Sequence, residues 1–279
     1  MIKKGDFHNH TTASDGKLSP RELVELAQKE GLDIIAITDH DNTEGLDEAL
    51  KTGKEIGITV IPGIELTTRY NGESVHLLGY FKGDNYKSPS FQNYLNELQE
   101  HRVKRGEKIA SNLKKFFDIS INYEEILKKN KGVIARPHIA KAIIEAGYPY
   151  DWNYIFDNII GNDSPAYVPN KNISIEEGIS ILKSADAFVS LAHPTLINKS
   201  NIEDLMKYGF DGIEGIYPLN KPFQEKIFRE ICLKHNKLIT AGSDYHGLGK
   251  TDTKHGYIGA SVLEGKDLEI FLAALEKEI

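Results

Sequence analysis

Two pairs of residues that commonly ligate metals stand at alternate positions in this chain: His8 and His10 in DFHNH, and Asp244 and His246 in GSDYH. Residues i and i+2 of an extended segment point to the same side, so both members of a pair can reach one ion. Three further residues of this kind close apolar runs: His40 after DIIAIT, Glu65 at the end of ITVIPGIEL, and His193 after AFVSLA. A lone histidine is more often a satisfied core or surface residue than a ligand. Two alternate pairs with three run-end residues are hard to obtain by chance, and they point to a divalent-metal site of imidazoles and carboxylates. Glu65 is either half of a structural salt bridge or a bridging ligand, because an unpaired buried carboxylate is costly.

Other candidates are ambiguous by spacing alone. Asp15, in Ser14-Asp15-Gly16, sits where a turn residue is ordinary, and spacing favours that reading. His76, among Val75, Leu77 and Leu78, fits either a core histidine or a ligand. Arg136-Pro137-His138 opens a helical stretch, where backbone N–H groups can meet an anion and a guanidinium offers phosphate a two-pronged donor. An arginine paired with a surface acid is the plainer alternative there.

Positioning these residues requires a scaffold that brings distant segments to one place. Ser19-Pro20 marks a helix start, with Gly31 as its stop. The run 33–38 then reads as a buried parallel strand. Helix 43–57 and strand 58–66 follow, with a hairpin turn at 70–74 before His76. Late in the chain, strands at 187–192, 212–216 and 238–241 alternate with helices at 175–185, 202–208 and 222–235. Repeated β-α-β units imply a parallel sheet, and about seven strands favour a closed or distorted barrel over an open sheet. Active sites of parallel barrels form at the carboxyl ends of the strands, where the candidate ligands fall. The domain reading is therefore an α/β barrel over residues 1–89 and 161–279, with a helical insertion at 90–160. The insertion either caps the barrel mouth or is an ordinary solvated subdomain.

Bulk composition narrows the classes. The 279 residues are 40% hydrophobic and carry a formal net charge of −7, which disfavours a protein that coats duplex nucleic acid with a broad basic face. A single cysteine, Cys232, excludes an internal disulfide framework and any multi-cysteine zinc site. No apolar run approaches the length of a membrane span. The opening MIKKGDFHNH lacks the apolar core of a secretory signal, so the expected location is cytoplasmic.

Taken together, Asp6-x-His8-x-His10-Thr11 with Ser14-Asp15-Gly16, Thr38-Asp39-His40-Asp41, Gly63-Ile64-Glu65, His76, Ala192-His193-Pro194 and Gly242-Ser243-Asp244-x-His246 resemble the PHP (polymerase and histidinol phosphatase) family of metal-dependent phosphoesterases. The matches run in family order from one end of the chain to the other, outside the insertion. It implies a distorted seven-stranded β/α barrel holding up to three metal ions. By position, the first ion would take His8, His10, Glu65 and Asp244, and the second Glu65, His76 and His193. The third would take Asp15, His40 and His246, which turns Asp15 from turn residue to ligand. The place of Asp15 is commonly histidine in the histidinol-phosphatase-like branches. Its Asp form, with Arg136-Pro137-His138, is similar to the branch containing nucleoside 3′,5′-bisphosphate (or AMP) phosphatases and 5′→3′ exoribonucleases on short RNA. Arg136 and His138 would then touch substrate.

Three divalent ions against Asp15, Glu65 and Asp244 would leave a surplus of about +3 before solvent ligands are counted, a sign suited to phosphate. The expected nucleophile is a metal-bridging hydroxide, generated because bridged water has its pKa lowered toward neutrality. Arg136 would orient the phosphate, and His138 would either do the same or protonate the leaving oxygen. Asp6 is expected to steer a histidine by hydrogen bond. Mn²⁺ is the first choice of ion, with Fe or Zn also compatible. Tyr167, Lys171 and Tyr217 could touch a nucleotide, though no motif says so. Three competing readings are an amidohydrolase-type C–N or C–O hydrolase, a phosphatase of small molecules resembling histidinol phosphate, and a non-catalytic metal-stabilised barrel.

Overall fold

The computed structural model describes residues 3–129, 136–169, 171–248 and 255–276. By compactness the chain divides into one unit of Met1–Gln92 with Ile173–Ile279, and a second of Asn93–Asn172.

The first unit is built on β1 (Lys4–Asp6), β2 (Ile34–Ile37), β3 (Thr59–Tyr70), β4 (Glu73–Tyr80), β5 (Phe188–Leu191), β6 (Gly212–Ile216), β7 (Leu238–Ala241) and β8 (Leu263–Glu264). Their order across the sheet is β7-β6-β5-β4-β3-β2-β1-β8. Beyond the strand ends the sheet nearly closes. Phe7 N–H donates to the Ala241 carbonyl at 3.1 Å, and His10 N–H to that of Tyr245 at 2.9 Å. The described residues form eight strands where the sequence leads one to expect seven. The additional strand, β8, is two residues long and antiparallel to β1, too short to leave a periodic pattern.

Three pairs depart from the parallel arrangement: β1 with β8, β3 with β4, and β4 with β5. β3 and β4 form a hairpin, with Tyr70 opposite Glu73 and a two-residue turn of Asn71 (φ +47°) and Gly72 (φ +75°). Asn-Gly suits this turn because both central residues need positive φ. Antiparallel β4 thus starts at the end where β3 finishes, so His76, near its beginning, belongs to the same rim as the ends of the parallel strands.

The helices in chain order are α1 (Pro20–Lys29), α2 (Leu46–Ile56), α3 (Pro89–Phe117), α4 (Tyr123–Lys129) and α5 (Arg136–Glu145). They continue with α6 (Trp152–Tyr154), α7 (Ile175–Ser184), α8 (Ile202–Leu205), α9 (Gln224–His235) and α10 (Gly265–Glu276). α1 begins with a reciprocal cap: Ser19 accepts from Glu22 N–H while the Glu22 side chain accepts from Ser19 N–H. Its buried face is Leu23, Val24 and Ala27. At the far end of the chain, Phe271 of α10 meets Phe7, Tyr80 and Phe188 edge-on at 4.8, 5.3 and 5.2 Å. This aromatic cluster joins three strand segments to the last helix. Such pairs contribute beyond simple burial of area.

The second unit is helical and has its own core, which includes Leu113, Ile126, Ile139, Ile143, Ile155 and Ile159. α6 continues into a π-helical turn over Ile155–Ile159. No helix among the described residues is long and apolar enough to cross a membrane.

Candidate metal centre

The two alternate pairs lie side by side because backbone pairing continues past the strand ends. Asn9 and Tyr245 form a parallel bridge, with Tyr245 N–H donating to the His8 carbonyl at 3.3 Å. His8 and His10 flank one side of that bridge, and Asp244 and His246 flank the other. A second bridge joins His40 to Glu65, with Asp41 N–H donating to the Glu65 carbonyl at 3.0 Å. The ladder itself carries these residues to one rim.

Their side chains converge. Ligand atoms of His8, His10, Glu65 and Asp244 all lie within 4.8 Å of one another, as do those of His10, Asp15, His40 and His246, and those of His40, Glu65 and His76. Nε2 of His8 is 3.3 Å from Glu65 Oε2 and 3.4 Å from Asp244 Oδ1, and Nε2 of His10 is 3.3 and 3.2 Å from the same oxygens. The other oxygen of Glu65, Oε1, meets His76 Nδ1 at 2.8 Å and His193 Nε2 at 2.9 Å. His40 stands between the groups, with Nδ1 2.9 Å from Glu65 Oε2 and Nε2 3.9 Å from Asp15 Oδ2. His246 Nε2 lies 3.3 Å from Asp15 Oδ1. Every sequence-predicted ligand of the barrel is therefore in one cluster.

The loop that presents Asp15 is fastened by Asp39. Its carboxylate accepts from Thr11 N–H and Thr11 O–H, both at 2.7 Å, and from Ser14 O–H at 2.6 Å. Gly16 lets the loop fold against His10, since a Cβ there would fall 2.3 Å from the His10 carbonyl oxygen.

Several buried ring and carboxylate atoms have no hydrogen-bond partner: Nε2 of His8, both ring nitrogens of His10, Nδ1 of His40 and Oε2 of Glu65. Unpartnered polar atoms are rare in protein interiors. These face one another at ion-pair distance without hydrogen-bond alignment, which is the arrangement of donors aimed at a shared point. The donor set, imidazole with carboxylate, fits Mn, Fe or Zn.

Burial opposes charge on these groups, and their mutual pairing mostly overrides it. Despite burial, His8 is held well above the usual histidine range by Glu214, Asp244 and Glu65. His40 is raised to about 10, burial being outweighed by Glu65 and Asp15. Glu65 stays well below the carboxylate range, since the pull of His40, His76 and His8 exceeds its desolvation. Asp15 and Asp244 are lowered in the same way by neighbouring histidines. His76 moves in the opposite direction because burial outweighs the attraction of Glu65. The carboxylates therefore remain anionic in a buried place, an environment that favours cations.

Asp6 steers a histidine in a different way from the sequence-based expectation. It bonds the backbone of a histidine and not a ring: it accepts from the N–H groups of His8, Ser243 and Gly259 at 3.3, 3.0 and 2.8 Å and from Asn9 Nδ2 at 3.2 Å. It binds the β1 and β7 ends together, and burial raises it to about 6 against those hydrogen bonds. The ring partner of His8 is Glu214, whose Oε1 is 2.9 Å from Nδ1. Sequence reasoning missed Glu214, although a carboxylate amid the buried strand GIEGI is itself a signal. Tyr217 donates to Asp244 Oδ2 at 2.8 Å, orienting that carboxylate.

Arg136 and His138 belong to the helical unit. Arg136 begins α5, donates to Asn162 Oδ1 at 3.2 Å and lies over the Tyr167 ring at 5.9 Å. Lys171 lies over the ring of Tyr94 at 5.3 Å.

Comparison with known proteins agrees with this geometry. The PHP domain matches residues 6–135. A 5′-3′ exoribonuclease of Haemophilus influenzae is 30% identical over 252 residues, covering 88% of this chain and 91% of its own. A 3′,5′-nucleoside bisphosphate phosphatase of Chromobacterium violaceum is 27% identical over 267 residues, 90% of each chain. Among solved structures, a protein of Bifidobacterium adolescentis described as a metal-dependent phosphoesterase superposes with a TM-score of 0.81 at 30% identity, over 96% of this chain and 95% of that one. This chain belongs to the PHP family and is a metal-dependent phosphoesterase.

Proposed function

We propose that the enzyme hydrolyses phosphate esters of nucleotides, either a nucleoside 3′,5′-bisphosphate or the 5′ end of a short RNA. The observation that carries this reading is the convergence of His8, His10, Glu65 and Asp244 within 4.8 Å. In this reading they hold one divalent ion, Glu65 with His76 and His193 a second, and Asp15, His40 and His246 a third, with Mn²⁺ as first choice. Such ions supply Lewis acidity toward phosphoryl oxygens and make bound water a nucleophile near neutral pH.

The chain's own residues do the positioning. Glu65 presents one oxygen to His8, His10 and His40 and the other to His76 and His193, so a single carboxylate is common to the groups. Tyr217 occupies Asp244 Oδ2, which leaves Oδ1 toward His8 and His10. Nδ1 of His246 is 2.8 Å from the Asp244 carbonyl, which turns Nε2 toward Asp15. Arg136, at the first turn of α5, supplies a planar fork suited to phosphate, and His138 is a second phosphate contact or a proton donor to the leaving oxygen. The substrate class is supported by two relatives, one named for 5′-3′ exoribonuclease and one for 3′,5′-nucleoside bisphosphate phosphatase.

The test is Mn²⁺-dependent release of phosphate from adenosine 3′,5′-bisphosphate, run beside a 5′-phosphorylated tri- or tetraribonucleotide, duplex RNA and histidinol phosphate. Turnover of either nucleotide substrate, abolished by EDTA and restored by Mn²⁺, is expected. Faster turnover of histidinol phosphate than of both would overturn the nucleotide assignment.

A further inference from the structure

Glu214 is fully buried in β6, and its two oxygens meet donors from different ligand groups. Oε1 is 2.9 Å from Nδ1 of His8, and Oε2 accepts from the backbone N–H of His193 at 2.7 Å. His193 has φ +24°, in a region that residues with a side chain seldom occupy. A conformation of this kind persists only where the surroundings over-determine it. The Glu214 contact is one such constraint, and the bonding of His193 Nε2 to Glu65 is another.

Gly242 makes the arrangement possible. A Cβ at that position would lie 2.2 Å from His8 Cβ and 2.5 Å from Glu214 Oε1. The glycine of Gly242-Ser243-Asp244 thus clears the space in which Glu214 reaches His8.

We propose that Glu214 is a positioning residue that fixes the tautomer of His8 and the backbone of His193 at once, aligning one donor in each of the two groups that share Glu65. The inference rests on the metal reading given under Proposed function. In the neutral ring that a metal ion requires, bonding the carboxylate places the N–H at Nδ1, which leaves the Nε2 lone pair facing Glu65 and Asp244. His193 N–H is a donor in every state. Glu214 therefore faces two donors, a demand that a carboxylate meets and an amide cannot. In Glu214→Gln, an oxygen placed on His193 N–H turns the NH₂ group toward His8. Nδ1 must then accept, and the ring proton moves to Nε2, where it blocks the lone pair. The opposite flip sets two donors against each other at His193.

The test measures Mn²⁺ affinity and stoichiometry of the full-length wild type and Glu214→Gln by calorimetry and elemental analysis, with thermal unfolding of both metal-free proteins alongside. The expected result is Mn²⁺ affinity weakened by about 10–100-fold, with kcat partly restored by excess Mn²⁺. A purely structural role would lower the thermal midpoint and leave the affinity of the folded protein unchanged, and that result overturns the proposal. Nitrogen-15 spectra of imidazole-labelled wild type loaded with diamagnetic Zn²⁺ give a second readout that does not depend on the variant folding. His8 should be protonated at Nδ1 and ligated through Nε2; a proton on Nε2 overturns the inference. A wild type that binds neither ion would overturn the metal reading itself, whereas normal binding by both proteins would remove only Glu214.

Discussion

His8, His10, Glu65 and Asp244 sit on or beside backbone that is still paired past the ends of the strands, whereas Asp15 rides on a loop held by side-chain hydrogen bonds to Asp39. Exposure follows this division at Asp15 and His40, while His246 is buried like the deep group. The first four residues are 0, 0, 1 and 5% exposed, while the side chains of Asp15 and His40 are 30 and 21% exposed. The deep group inherits its geometry from main-chain ladders that form with the barrel. In the rim group His40 and His246 share those ladders, but Asp15 depends on a local network that water can reach. Buried donors interact through a lower effective dielectric and relax less than exposed ones. An ion in the deep group should therefore be retained more tightly than one at the rim.

The largest effect is expected for Asp244→Ala. Asp244 contacts both His8 and His10, so its removal strips the deep group of one of its two carboxylates. Turnover should fall by more than about 100-fold, beyond the range usual for an outer contact, together with loss of metal by elemental analysis. Full metal content and normal rate would show that the deep group is not the essential one.

Asp15→Ala should separate the two regions. Its expected result is loss of one ion, the first to leave wild type during chelator titration, with the remaining metal bound as tightly as before. If all metal leaves in a single step in both proteins, the distinction between deep and rim groups fails. Asp39→Asn acts one step further out. The amide offers one oxygen to the three donors of Thr11 and Ser14, so the loop loosens while every proposed ligand stays in place. Rim affinity should weaken by about 10-fold, the low end for an outer contact, with the deep group unaffected.

The same division explains what could be read from sequence. The alternate pairs and run-end residues were legible because a ladder imposes a period of two and places strand ends at one rim. The barrel class followed from β-α-β alternation, but β8, with two residues, has no period to read. Asp15 was invisible as a ligand on spacing alone. Its place depends on a loop whose anchor, Asp39, is 24 positions away in the chain and is reached only through folding. Glu214 was hidden for a different reason: GIEGI reads as a buried strand, and periodicity does not say which partner will answer a buried charge. Asp6 was recognised as supporting the site, yet three of its partners are backbone N–H groups, which carry no residue-specific signature.

Arg136 gives the most diagnostic change, because it belongs to the helical unit and is bonded there only through Nη1 to Asn162 among its described hydrogen bonds. If its guanidinium contacts substrate phosphate, Arg136→Ala removes a charge-assisted pair worth about 1.5–3 kcal/mol. Since about 1.4 kcal/mol corresponds to tenfold, KM should rise by roughly 10–100-fold. Metal stoichiometry should stay at the wild-type value, which sets this variant apart from every substitution in the barrel. A contact made equally in ground and transition states leaves kcat unchanged. A fall in kcat at constant KM would instead mean that Arg136 acts on the developing charge, and unaltered kinetics would place substrate recognition wholly within the barrel unit.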